Sequence, residues 1–206
     1  MPDLASKLKG KSKAEMRQML RDYRDRLSPE EVAKKSDRVF KRLFSLPVFI
    51  EANTVLFYMS YRNELDTRKI IQRSIQISKN ICLPRMVVDT SDLDVYEINN
   101  IEKDTAPGIL GITEPRLDAK KCEDLRKIDL CIVPAIAFDR RGHRIGWGKG
   151  FYDRFLPKLP ASTKKFGIAY DFQVLERIKS HDRDVPLDGL ITEDEVIYFD
   201  HFYNNE

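Results

Sequence analysis

The chain has no long hydrophobic run, and this absence excludes a membrane-spanning helix. Its longest apolar stretch is 130–138, whereas a helix that crosses a bilayer needs about 20 consecutive apolar residues. The N-terminal segment also lacks the apolar core that is typical of a signal peptide. We therefore expect a cytoplasmic protein without a membrane partner.

Net charge and metal-binding side chains are also scarce. The sequence has 36 Lys and Arg against 33 Asp and Glu, a formal net charge of +3, and no long Lys/Arg block. This small excess argues against a nucleic-acid partner. No His/Cys group has the spacing of a zinc site. We interpret the three scattered histidines as structural or surface residues: His143, His181 and His201.

Only three cysteines are present, and none forms a Cys-x-x-Cys pair. Cys82 and Cys131 lie in apolar, strand-like runs, which indicates buried thiols in a reducing compartment. Of the 206 residues, 42% are hydrophobic and 33% are charged, as is usual for soluble globular proteins. We expect one domain over residues 1–206, acting as a monomer.

Helical and strand-like patterns alternate along the chain. Helices are predicted at 13–27, from the capping box Ser28–Glu31 to near Pro47, and after Asp66 or Thr67. The predicted strands are 54–59, 80–84, 93–98, 129–138, 165–170 and 195–199, and residues 101–128 read as irregular. This alternation predicts an α/β fold with a largely parallel sheet.

The first predicted helix has two faces. The face expected to be buried carries Met16, Leu20, Tyr23 and Leu27. The other face is basic and carries Lys13, Arg17, Arg21 and Arg24. Lys13 and Arg17 are four residues apart, so their side chains project together. The pattern fits a solvated face, or a pair of cations that binds a terminal phosphate.

The segment 142–154, Gly-His-Arg-Ile-Gly-Trp-Gly-Lys-Gly-Phe-Tyr-Asp-Arg, is the most informative in the sequence. It alternates three glycines with cations, between an apolar strand and a predicted helix start. Such glycines let main-chain N–H groups surround an anion, and a phosphate chain fits this arrangement. A plain flexible loop is the alternative. The glycines are Gly146, Gly148 and Gly150, and the cations are Arg144, Lys149 and Arg154.

Three carboxylates have positions that suit ligand binding. Asp153 follows the glycine segment, where Mg²⁺ on a phosphate would lie, although it could equally stabilise its helix N-terminus. Asp188 is a second candidate ligand or a turn residue before Gly189. Glu64 follows a predicted strand and could accept hydrogen bonds from ring N–H groups, or it could be an exposed loop acid.

Taken together, the motifs resemble those of the 5-formyltetrahydrofolate cyclo-ligase family, also called 5,10-methenyltetrahydrofolate synthetase. The resemblance runs from about Lys13 to Thr192. Its most specific parts are Val133–Asp139 and Gly142–Arg154. Supporting pieces are Lys13-x-x-x-Arg17, Glu64–Thr67, Leu83–Arg85, Gly111–Pro115, Gly167–Tyr170 with Gln173, Asp184–Asp188 and Ile191–Glu193.

This resemblance implies a three-layer α/β/α fold like that of ribose-phosphate isomerase and CoA-transferase domains. It implies ATP- and Mg²⁺-dependent cyclisation of 5-formyltetrahydrofolate to 5,10-methenyltetrahydrofolate. In that reaction the formyl oxygen attacks the γ-phosphate, and N10 then closes the ring. The small-molecule partners implied are ATP and 5-formyltetrahydrofolate.

The resemblance also implies site residues. Those that would bind ATP are Lys13, Arg17, Arg144, Gly146, Trp147, Gly148, Lys149, Gly150, Phe151 and Tyr152. Those that would bind the folate substrate are Met59, Glu64, Trp147, Lys149 and Phe151. Lys149 and Arg144 would act in catalysis, and Asp153 and Asp188 would hold Mg²⁺.

The sequence departs from the family pattern at two positions. Phe151 stands where tyrosine is common, and Arg183 stands where histidine is frequent, so fine substrate geometry can differ. Two other functions remain open on the residues alone. A nicotinamide-dependent oxidoreductase would need Gly-x-Gly-x-x-Gly on the first βα turn, and a nucleic-acid-binding module would use the basic helix and the glycine segment.

Overall fold

The computed structural model describes residues 4–179 and 184–199, which form a mixed α/β structure. The α-helices are α1 (Leu4–Leu8), α2 (Lys13–Arg24), α3 (Pro29–Ser45), α4 (Pro47–Glu51), α5 (Thr67–Gln76), α6 (Ile101–Asp104) and α7 (Phe151–Phe155). The strands are β1 (Thr54–Leu56), β2 (Asn80–Val87), β3 (Asp92–Ile98), β4 (Thr105–Pro107), β5 (Thr113–Pro115), β6 (Leu130–Val133), β7 (Ala137–Asp139), β8 (Arg144–Ile145), β9 (Lys164–Ile168), β10 (Val174–Leu175), β11 (Gly189–Ile191) and β12 (Val196–Tyr198). Within these ranges, no helix is long and apolar enough to cross a membrane.

Seven of the described strands form one central sheet in the order β12-β11-β9-β6-β1-β2-β3. The five inner strands run parallel, and the edge strands β12 and β3 are antiparallel to their neighbours. The predicted α/β class with a largely parallel sheet is confirmed. Because the carboxyl ends of parallel strands share one edge, the loops after them can build a common site.

Both faces of the sheet are covered by packed side chains. Successive residues of a strand point to opposite faces, so neighbouring residues pack in different clusters. Val55 packs in one apolar cluster with side chains of α3, α4 and α5. Its neighbour Leu56 packs in a second cluster with Phe155 of α7. The full burial of β1 and β6 explains the continuous apolar runs at these two strands.

The start of α2 matches the sequence pattern, and its buried face does not. Ser12 and Glu15 form a capping box, and Leu20 is buried as expected. The prediction of a buried Tyr23 is wrong, because Tyr23 is 43% exposed while the adjacent Arg24 is 2% exposed. Tyr23 instead packs on the ring of Phe172, with 4.6 Å between the ring centroids.

The single strand predicted at 129–138 is also wrong. The chain leaves the central sheet after Val133, and β7 pairs with β8 and β10 in a separate three-stranded sheet. Pro134 lies between the two strands and has no N–H with which to continue a ladder. The glycines at 146–150 therefore follow the β7–β8 hairpin beside the central sheet, and they do not directly follow a strand of the central sheet.

The sequence pattern also missed β11. This strand has only three residues and begins at Gly189, where a Cβ would lie 2.3 Å from the ring of Phe166. A short strand that begins with glycine has little periodic signal, and its place is decided by the close packing. The prediction that residues 101–128 are irregular is wrong, because this stretch contains α6, β4 and β5.

The cysteines and one histidine agree with the sequence interpretation. Cys82, Cys122 and Cys131 are buried free thiols, and burial raises the pKa of Cys131 to about 12. His143 has a structural position beside the buried Asp139, with 3.4 Å from Nδ1 to Oδ1. The remaining interpreted positions, His181, His201 and Arg183, lie outside the described residues.

Candidate active site

The glycine loop, residues 146–150, begins directly after β8, the second strand of the β7–β8 hairpin. The N–H of Ile136 donates to the carbonyl of Ile145 at 2.8 Å, which anchors the loop start just after the carboxyl end of β6. Gly148 has φ of +99° and Gly150 has φ of +70°, whereas Gly146 is not in the left-handed region. Two of the three glycines are thus required by the backbone itself. Gly150 is also the N-cap of α7.

Helix α2 contacts this loop. Arg17 Nε donates to the carbonyl of Gly146 at 2.7 Å. A Cβ on Gly148 would lie 3.7 Å from Arg17 Cζ. One turn earlier, Lys13 shares a groove of about 290 Å³ with Ile145 at the loop start, and its Nζ is 3.9 Å from Asp184 Oδ2. The structure thus places Arg17 in contact with the glycine loop and Lys13 beside Ile145, the residue before that loop.

The side chains of the loop itself point outward. Trp147 is 41% exposed, and the guanidinium groups of Arg21 and Arg24 lie 5.8 Å and 5.6 Å from its ring centroid. Lys149 is exposed, and its carbonyl accepts a hydrogen bond from Arg154 Nη2 at 2.5 Å. The loop therefore presents a partly exposed aromatic ring beside α2 and an accessible ammonium.

Arg144 and Asp153 form a pair at the base of the loop. Arg144 is buried; its Nη1 donates to Val185 O at 2.7 Å and its Nη2 donates to Asp153 Oδ1 at 2.5 Å. Burial lowers the pKa of Arg144, and the Asp153 carboxylate opposes that shift. The side chain of Asp153 is 41% exposed, so its carboxylate can also be reached from the solvent side.

Asp188 has a different environment. It is buried and accepts a hydrogen bond from the N–H of Lys165 at 2.7 Å, beside the amino end of β9. No described hydrogen bond or ion pair joins it to Asp153 or to the glycine loop. Within 4–179 and 184–199, no cluster of three His, Cys, Asp or Glu side chains could enclose a metal ion.

Glu64 is buried, and not an exposed loop acid. It is 7% exposed; its Oε1 lies 3.2 Å from Arg24 Nη1 and its Oε2 accepts the N–H of Tyr61 at 3.0 Å. Burial raises the pKa of Glu64, and Arg24 and the Tyr61 N–H oppose the rise. Sequence reasoning missed Arg24 as a site residue, because along the helix its charge looks like that of its solvated neighbours.

Tyrosine side chains surround this buried pair. Burial raises the pKa of the phenols of Tyr58, Tyr152 and Tyr170, and the negative charge of Glu64 raises each pKa further. The Tyr152 hydroxyl is buried without a described hydrogen-bond partner. Tyr58 and Tyr170 come from the segments after β1 and β9, and Tyr152 comes from α7, so the groups of these segments that act on Glu64 are neutral phenols.

The predicted folate set is only partly gathered in one place. Arg24 joins Glu64 to Trp147, and the Tyr61 ring lies 6.4 Å from the Trp147 ring. Met59 is buried in the apolar cluster on the α3 side of the sheet. Phe151 packs instead against the cluster on the α7 side.

Comparison with known proteins decides the family. The sequence profile of the 5-formyltetrahydrofolate cyclo-ligase family matches residues 9–193. The chain belongs to this family. A 5-formyltetrahydrofolate cyclo-ligase from Escherichia coli K12 is 30% identical over 86% of this chain and 98% of its own. A probable 5-formyltetrahydrofolate cyclo-ligase from Caenorhabditis elegans is 31% identical over 91% of this chain and 96% of its own.

Solved structures agree with the cyclo-ligase assignment. The NMR structure of Aquifex aeolicus 5,10-methenyltetrahydrofolate synthetase superposes with a TM-score of 0.80, at 32% identity, over 91% of this chain and 93% of the other. A synthetase structure from Mycoplasma pneumoniae shares the fold, with a TM-score of 0.71 at 21% identity. The family match includes α2, the Glu64 loop and the glycine loop, which form the site described above.

Proposed function

We propose that this protein is an ATP-dependent ligase that cyclises 5-formyltetrahydrofolate to 5,10-methenyltetrahydrofolate. The observation that carries the proposal is the meeting of three segments: α2 contacts the glycine loop through Arg17 and the Glu64 loop through Arg24. The turn proposed to bind a polyanion and the buried carboxylate of Glu64 thus both contact α2, which supports a reaction between ATP and a pterin.

The proposed chemistry makes a poor leaving group into a good one. The formyl oxygen attacks the γ-phosphorus, the bond to the ADP oxygen breaks, and an imidate-like phosphate forms. N10 then attacks the formyl carbon and loses its proton, the C–O bond breaks, and inorganic phosphate leaves. In such phosphoryl transfers the protein mainly positions the reactants and neutralises charge.

The triphosphate would lie along the glycine loop. The main-chain N–H groups of this loop would supply hydrogen-bond donors, and the cations of α2 would supply positive charge. Lys149 is exposed on this loop, and we propose that it contacts the transferring phosphate. The proposed nucleotide contacts are Lys13, Arg17, Gly146, Trp147, Gly148, Lys149, Gly150 and Tyr152. Phe151 packs into the apolar cluster, so its contribution would come from its main chain.

Arg144 suits a positioning role better than direct contact with phosphate. Both of its terminal nitrogens already donate, to Val185 and Asp153. We propose that it holds Asp153 toward the glycine loop. Direct contact between Arg144 and the reacting phosphate stays a prediction.

Mg²⁺ would enter with the nucleotide. Because this ion needs only one or two protein carboxylates beside substrate phosphates, the accessible Asp153 fits it, and no larger cage is needed. When bound, the ion would neutralise charge on the phosphate oxygens. We propose Asp153 as its protein ligand. Asp188 as a second ligand stays a prediction, and its hydrogen bond to β9 supports a structural role.

The pterin would bind against Glu64 and Trp147. A buried carboxylate accepts hydrogen bonds from ring N–H groups, and an aromatic plane suits a flat heterocycle. Met59 belongs to the apolar cluster on the α3 side of the sheet, and its contact with the folate stays a prediction. That the protein is a cytoplasmic monomer, built as one domain and without nucleic-acid or membrane partners, stays a prediction.

A direct assay tests the proposal. Purified protein is mixed with 5-formyltetrahydrofolate, ATP and Mg²⁺, and the methenyl chromophore is followed together with ADP and phosphate. We expect the three products in equal amounts. Failure to form methenyl product at high enzyme concentration would overturn the proposed activity.

A further inference from the structure

Arg24 is the buried cation of the basic face of α2, whose other members, Lys13, Arg17 and Arg21, are partly exposed. Its side chain is 3% exposed, and its one described ion pair is with Glu64, whose side chain is 8% exposed. Its Nε is buried without a described hydrogen-bond partner. Burying an arginine costs free energy unless its partner is well placed. A role in keeping the surface soluble therefore does not explain why this pair is buried.

Glu64 keeps acceptor capacity after this pairing. One oxygen accepts from Arg24 and the other from the N–H of Tyr61, whereas a carboxylate offers about four acceptor positions. Two positions therefore remain for ring N–H donors of a ligand. They stay acceptors only while Glu64 is ionised, because a protonated acid presents an O–H donor.

Among the described residues, Arg24 supplies the positive charge that acts on Glu64. The other titratable groups that face the carboxylate are the phenols of Tyr58, Tyr152 and Tyr170, from the segments after β1 and β9 and from α7. These phenols are neutral at ordinary pH and do not offset the desolvation of a buried carboxylate.

Arg24 also reaches the glycine loop. Its guanidinium lies 5.6 Å from the ring centroid of Trp147, a separation at which cation–π attraction operates. One side chain thus contacts both the proposed pterin acid and the aromatic plane beside it.

We propose that Arg24 is a positioning residue for the folate substrate, holding Glu64 as an oriented hydrogen-bond acceptor and bracing Trp147 next to it. This inference rests on the proposed cyclo-ligase function. Arg24 does not touch the reacting atoms, and its ion pair is with the proposed pterin acid, so its main effect belongs in the KM for 5-formyltetrahydrofolate. Through Trp147, which is also a proposed nucleotide contact, it should change the KM for ATP by no more than about twofold.

The test is Arg24→Met, assayed in the full chain from about pH 6 to about pH 9. Without Arg24, the pKa of Glu64 rises further, and the carboxylate is lost as pH falls through that higher value. We expect KM for 5-formyltetrahydrofolate to rise on the order of tenfold at the acid end. The loss should shrink as pH rises, with KM for ATP constant within about twofold.

Three further variants isolate the effect. Arg24→Lys keeps the charge and should restore most of the pH profile. Arg21→Met removes the other cation near Trp147 but leaves the partner of Glu64 in place. It should therefore change the fluorescence emission of Trp147, the single tryptophan of the chain, and leave the KM for 5-formyltetrahydrofolate at low pH as in the wild type. In a Glu64→Gln background, Arg24→Met should add no pH-dependent loss.

The outcomes separate the inference from the proposed function. If the wild type turns over and Arg24→Met, folded by circular dichroism, keeps its KM and pH profile, the inference is overturned. If Arg24→Met does not fold, Arg24→Lys decides instead: a raised KM for ATP with a wild-type KM for 5-formyltetrahydrofolate overturns the inference. If the wild type forms no methenyl product, the proposed function itself fails.

Discussion

Gly148→Ala tests the backbone geometry of the glycine loop most directly. Gly148 has φ of +99°, outside the region that alanine adopts comfortably. An L-residue with positive φ costs about 1–2 kcal/mol. The added Cβ itself meets only ordinary contact, 3.7 Å from Arg17 Cζ. Strain, and not overlap, therefore sets the penalty.

Gly146→Ala is the matched control. Gly146 has no positive φ, and a Cβ there meets no atom within 4 Å. For a chain of this length, each kcal/mol lowers Tm by about 2–4 °C. We expect Gly148→Ala to melt about 2–8 °C below wild type without ligand, and Gly146→Ala to melt with wild type.

Differential scanning calorimetry and steady-state kinetics provide the measurements. A strain of about 1–2 kcal/mol in the binding conformation lowers the population of that conformation by about 5–30-fold. We expect kcat/KM for ATP to fall by up to about this factor in Gly148→Ala. If Gly148→Ala matches both wild type and Gly146→Ala in Tm and in kcat/KM, positive φ has no role in this loop.

Three more predictions follow from the structure. Asp153→Asn should lower kcat/KM on the order of 100-fold and raise the Mg²⁺ concentration for half-maximal rate, because it removes the accessible carboxylate; an unchanged Mg²⁺ titration would exclude Asp153 as a ligand. Asp188→Asn retains an oxygen that can accept the N–H of Lys165, so we expect near wild-type Tm and Mg²⁺ dependence, and a lost Mg²⁺ response would instead make Asp188 a ligand. Cys131 has a pKa of about 12 and no exposed surface; in the native protein it should resist a disulfide reagent that labels it in denaturant, and rapid native labelling would contradict its burial.

The sequence determined those features that depend on local chemistry. Alternating helical and apolar strand-like segments predicted the α/β class, because periodicity follows from burial on one face or two. The Ser12 and Ser28 capping boxes set the starts of α2 and α3, because a cap needs only residues within one helical turn. The glycine pattern likewise indicated a turn with positive φ, found at Gly148 and Gly150.

The tertiary structure decided which side chains meet. Arg24 and Glu64 are 40 positions apart, and nothing in the periodicity of α2 distinguishes a buried arginine from a solvated one. The exchange of burial between Tyr23 and Arg24 depends on that distant carboxylate and on the Phe172 ring. Burial of charge is a property of a pair, and long-range folding alone brings the pair together.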